Sequence, residues 1–168
     1  KHEVFSRDLA ALGDSVTSLG EEARRLSTAF PDSASEVAGK RDAVTRHWEQ
    51  LRVACDERRT KLQDAHALQR FLNDMQASTS WVADMKSLMA VEETVRDVAS
   101  ADALLQQHQE RREEINARQA NFDAVKDFGA TLVQRGHFAA ADIEKRLAQL
   151  KQDRGELEAL WKDRQHRY

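Results

Sequence analysis

The sequence predicts an all-α protein built of left-handed three-helix coiled-coil bundles in tandem, joined by a continuous helix. Three observations predict it. Six glycines and one proline in 168 residues leave few helix breakers. Apolar residues recur at alternating steps of three and four, the a/d seam of a coiled coil. The seam also repeats without a gap at an offset of 106 residues, which sets His2 against His108, Leu26 against Leu132, Leu51 against Leu157 and Arg58 against Arg164. Conservative matches at the same offset include Val16/Phe122, Leu19/Val125, Val37/Ile143 and Val44/Leu150.

The first helix is expected over about 1–28, with Phe5, Leu9, Leu12, Val16, Leu19, Ala23 and Leu26 on its seam. Phe30-Pro31 ends it. Ser33, three residues before Glu36, has the spacing of a capping box and opens the next helix. That helix carries Val37, Val44, Trp48, Leu51, Cys55 and Leu62, with Arg41 and Arg58 also at seam positions. Neither glycine nor proline occurs from Lys40 to Ala90, and the seam continues through Leu68, Phe71, Met75, Val82, Met85 and Met89. One helix over 34–91 is therefore expected, about 85 Å long at about 1.5 Å per residue. No small bundle contains such a helix. Its first half must pack with the helix before it and its second half with the helices after it.

A loop follows, with Asp97 and Ser100 as candidate caps, then a helix over 101–135 with Ile115, Phe122, Val125 and Leu132 inward. Gly136 is placed as a C-terminal cap. The last helix, 139–168, carries Ile143, Leu147, Leu150, Leu157, Trp161 and Tyr168. Arg111, Arg118 and Arg154 at seam positions, together with Gly129, predict a loosely packed middle for this second bundle.

Composition excludes several function classes. Charged residues make up 33% and aromatics 6%, too polar for thick apolar layers, while 40% regularly spaced apolar residues exceed what a disordered tail carries. A net charge of -3 with interleaved signs gives no general attraction to nucleic acid or anionic lipid. Cys55, the single cysteine, excludes an internal disulfide and suits a reducing compartment. With no signal peptide and no membrane-length apolar run, a cytoplasmic location without membrane insertion is expected, and the start at Lys1 suggests a piece of a longer chain. The histidines at 2, 47, 66, 108, 137 and 166 form no His-x3-His pair, so neither a metal nor another cofactor is expected. Cys55, Trp48, Trp81 and Trp161 read as core residues. Nothing points to an enzyme.

Phe71-Leu72-Asn73-Asp74, followed by Trp81-Val82 and Leu88, resembles the first-helix signature of the spectrin repeat family, in which a Trp anchors the core. Asp102-Ala103-Leu104-Leu105-Gln106-Gln107-His108 is similar to the start of the family's second helix, and Ala140, Ile143 and Leu150 to the start of its third. Trp48 sits where the family commonly has a third-helix Trp; the second copy places Arg154 there and Trp161 one heptad later.

The resemblance implies that residues 1–65 are the second and third helices of a partial repeat and residues 66–168 a complete one. It implies an elastic rod or spacer and interaction platform in an actin-crosslinking protein of the membrane skeleton at the cell cortex. Actin would be bound through other domains, and the repeat spacing leans to a β-type chain. A docking repeat for a partner such as ankyrin or another rod chain is the alternative. No motif specific to one partner occurs. By the repeat alignment, the first two helices lack their third. That leaves Phe5, Leu9, Leu12, Val16, Leu19, Val44, Trp48 and Leu51 as a partly uncovered stripe, and dimerisation through the N-terminal half is expected.

Overall fold

The computed structural model describes residues 2–91 and 96–167, all backbone order being helical or turn. In chain order the helices are α1 (His2–Ala29), α2 (Ala34–Ala90), α3 (Val98–Ala117), α4 (Gln119–Gln134) and α5 (Ala140–Arg167), with a 3-10 turn, Pro31–Ser33, between α1 and α2. The chain divides into two compact units, Lys1–Asp64 and Ala65–Tyr168. Tyr168, expected on the last seam, and the side chain of His2 lie outside the described residues.

α2 is unbroken for 57 residues, through Asp64, Ala65 and His66. The polar stretch at Ser78 and Thr79 stays helical, with the Thr79 hydroxyl turned back to the Met75 carbonyl at 2.6 Å. The capping box expected at Ser33 is not formed among the described residues. Pro31 starts the 3-10 turn, α2 follows at Ala34, and Glu36 pairs with Lys40 at 2.8 Å instead.

The helix expected over 101–135 begins earlier and is interrupted. Asp97 accepts the Ser100 N–H at 2.8 Å while the Ser100 hydroxyl accepts the Asp97 N–H at 3.0 Å, a reciprocal cap that starts α3 at Val98. At Arg118 the backbone relaxes to φ -81°, ψ -9°, and α4 begins one residue later. The break falls where the seam calls for an apolar residue and the sequence supplies an arginine, whose guanidinium lies 5.4 Å from the Trp81 ring centre. At the other end of α4, Gly136 adopts φ +70°, the conformation that glycine allows most readily. Its N–H reaches the Val133 carbonyl (2.9 Å) and that of His137 the Leu132 carbonyl (3.1 Å), the paired bonds of a Schellman cap.

The core of the second unit is centred on Phe71, Val82, Met85, Ile143 and Leu157, all fully buried. A Cβ at Gly129 would stand 2.8 Å from the Phe71 ring and 2.9 Å from Leu147 Cδ1, so this glycine marks a close helix approach rather than a gap. The middle is less filled on one side. An open groove of about 690 Å³ passes Phe122, Leu147 and Leu150, and Arg154 lays its guanidinium 4.4 Å from the Phe122 ring centre. Trp81 is only half-buried, at the rim of the core. Its ring lies 5.8 Å from that of Phe122 and its indole N–H donates to Glu114 Oε1 at 3.1 Å. An indole N–H needs a polar partner, which holds the ring at the edge. Phe71 is the anchor.

Candidate interaction surface

In the first unit, α1 packs on the Ala34–Asp64 part of α2 through few buried side chains: Leu9, Ala23 and Cys55. Trp48 closes over Gly13, whose missing Cβ would stand 2.8 Å from the indole ring, and its N–H points to the Leu9 carbonyl at 3.5 Å. Cys55 Sγ lies 3.5 Å from the Ser6 hydroxyl.

Of the expected stripe, Leu9 is buried and Val16 and Trp48 are half-buried between the helices, whereas Phe5, Leu12, Leu19, Val44 and Leu51 are exposed. The 106-residue repeat supplies an internal control. Leu19 is 60% exposed where Val125 is 6%, Leu26 41% where Leu132 is 3%, Val44 43% where Leu150 is 4%, and Leu51 42% where Leu157 is 2%. Equivalent apolar seam positions are thus covered in one unit and open in the other.

Of the exposed stripe members, Leu19 and Val44 line an apolar groove of about 270 Å³ together with Val16, Ala23, Leu26 and Val37, with Glu22, Lys40 and Arg41 also at its wall. Leu26 and Val37 belong to this face although the expected stripe omitted them. Their repeat equivalents, Leu132 and Ile143, were the signal that could have found them.

A second cluster lies in the Ala65–Tyr168 unit. His108 of α3 is buried and stacks on Trp161 of α5, with ring centres 4.6 Å apart and planes within 9°. The Trp161 N–H points to the His108 carbonyl at 3.3 Å. Arg164, also buried, donates to the carbonyls of Leu88 (3.3 Å) and Met89 (2.8 Å) at the end of α2. Arg112 bonds Glu158 at 2.6 Å and sits 4.9 Å from the Trp161 ring centre. Burial lowers the His108 pKa from its ordinary value, and the positive charges of Arg164 and Arg111 lower it further. Nearer the middle of the unit, Lys86 reaches Glu156 (2.6 Å) and Asp153 (2.9 Å); the hydrogen bond to Glu156 raises the ammonium pKa, and the same bond lowers that of Glu156.

Among the described residues no three His, Cys, Asp or Glu side chains are grouped to hold a metal, and no helix is long and apolar enough to cross a membrane.

Helix bundles repeating on a shared seam define a tandem helical-repeat protein. The spectrin repeat model matches residues 1–64 and 66–168, and the chain belongs to that family. It is 35% identical over 165 residues to a spectrin beta chain of Drosophila melanogaster. It is 31% identical over 164 residues to the erythrocytic spectrin alpha chain 1 of Mus musculus and 34% over 167 residues to the erythrocytic spectrin beta chain of the same organism. These alignments cover 98–99% of this chain but only 7–8% of the relatives, so the chain spans less than a tenth of their length.

Proposed function

We propose that the chain is a non-enzymatic rod segment of a spectrin-like protein of the membrane skeleton, working in the cytoplasm beneath the plasma membrane as an elastic spacer. In this reading residues 66–168 form one complete repeat, and residues 1–65 supply the second and third helices of another. The contrast between equivalent seam positions carries it: what Val125, Leu132, Leu150 and Leu157 bury, Leu19, Leu26, Val44 and Leu51 leave open.

For the 168-residue chain the occupant of that open face is a second copy. Both copies carry the same stripe, so a two-fold pairing closes both faces at once. Fully burying one large apolar side chain is worth about 1.5–3 kcal/mol. Closing the five exposed members of the stripe on each of two copies is of the same order as the roughly 4–15 kcal/mol that association costs.

Sedimentation equilibrium at micromolar concentration is expected to give a dimer, and Leu19→Glu with Leu51→Glu to give a monomer of unchanged second-unit stability. A monomeric parent chain overturns the pairing. If that monomer binds a peptide of residues 66–90, the face takes a helix from another polypeptide, as in docking between rod chains, and the second copy is excluded as occupant.

A further inference from the structure

We infer that the end of the second unit, where α2 gives way to α3, is a proton-sensitive latch in which the neutral His108 ring permits Arg164 to hold the last carbonyls of α2. The inference is independent of the open N-terminal face.

The geometry sets what a proton would do. His108 is 3% exposed, and both ring nitrogens are shut off from solvent. One face of the ring is covered by Trp161. On its own helix the neighbouring charges are Arg111 and Arg112, the latter engaged with Glu158. From α5 comes Arg164, next in sequence to Asp163. α2 contributes the backbone carbonyls of Leu88 and Met89, which Arg164 binds. Glu92 and Glu93 follow α2 in the sequence and lie outside the described residues.

An imidazolium in this site is a further buried cation beside Arg164. Buried like charges are relieved by separation or by opening to water. Arg164 is the group that can leave, because its stem reaches the seam and its head can turn outward. When it does, the Leu88 and Met89 carbonyls lose their donor and the end of α2 frays. The latch is thus closed near neutral pH and loosened by mild acid.

The sign follows from linkage. A histidine whose folded-state pKa lies below its unfolded value of about 6.5 contributes fully above that value. The contribution is lost as pH falls from there through the folded-state value.

Hydrogen exchange of the full chain, corrected for intrinsic rates and using the Leu19→Glu, Leu51→Glu background if dimerisation intervenes, reads the latch directly. From pH 7.5 to 5.5, opening at Leu88–Ala90 and Val98–Gln107 is expected to increase severalfold, about tenfold being the ceiling that an unfolded-state value of about 6.5 sets. Opening at Ile143–Leu150 is expected to stay level. His108→Gln is expected to abolish the difference. Equal opening at both pH values, or an undiminished response in His108→Gln, overturns the latch. If that variant does not fold, an NMR titration of the parent chain decides. A His108 midpoint below the unfolded-state value of about 6.5 supports the latch, and one at or above it overturns it.

Discussion

Phe71 and Trp81 share α2 but meet different surroundings, and the difference decides what each contributes. The Phe71 ring fills the space left by Gly129 and is wholly buried. Trp81 lies at the rim with its N–H on Glu114 and Arg118 near its ring. Truncating a buried large aromatic costs about 3–5 kcal/mol, a large share of the ~5–15 kcal/mol that holds a small domain. Phe71→Ala is therefore expected to lower second-unit stability by about 3–5 kcal/mol. Trp81→Ala should cost less, since part of its ring at the rim already faces water. Urea denaturation followed by far-UV circular dichroism measures both; equal losses would return Trp81 to the role of anchor. The family-like signature pointed to Trp81 because large aromatics dominate cores. It carried no information about the carboxylate one helix away that draws the indole outward.

At the scale of the element, helix ends were legible where a local side chain or glycine could close them. Asp97–Ser100 and Gly136 behave as their sequence contexts predict. Ser33–Glu36 does not, because Pro31 commits the preceding residues to a 3-10 turn and Lys40 takes the Glu36 carboxylate. The Asp97 carboxyl titrates below its ordinary range because it accepts the backbone N–H of Ser100 and, secondarily, interacts with the Ser100 side chain. A depressed carboxyl stabilises the fold above its unfolded pKa of about 3.9, and that stabilisation disappears as pH falls through the folded-state value. Asp97→Ala should lower the melting temperature of the second unit at pH 7 and reduce its further fall below pH 4. Thermal melts at both pH values test this; an Asp97→Ala melting temperature equal to the parent's at pH 7 would remove the cap from the account.

At the scale of the whole molecule, the buried cluster from Phe71 to Leu157 lies entirely within residues 65–168. Nothing comparable is buried among the described residues of the first unit, where Leu9, Ala23 and Cys55 are the buried apolar side chains. Residues 65–168 alone should therefore fold cooperatively as a monomer. Residues 1–64 alone should lose helicity on dilution, because their stripe is covered only by association. Circular dichroism over a dilution series separates the two behaviours. Concentration-independent helicity in residues 1–64 would show that two helices suffice.

The sequence by itself determined the helices, their register and the repeat, because an a/d seam is a local pattern of 3.5-residue period and needs no partner to be read. It also placed the breaks at Phe30-Pro31 and Gly136, where backbone chemistry acts within a few residues. The repeat alignment also anticipated a partly uncovered stripe in the first unit, Leu51 included. Only the tertiary structure decided which members of that stripe are open: Leu9 is buried while Leu12 and Leu51 are exposed, since burial belongs to the neighbours and not to the residue. The pause at Arg118, the outward Trp81 and the meeting of His108, Trp161 and Arg164 arise in the same way. Each depends on distances between helices far apart in the chain, and no periodicity along one helix encodes those distances.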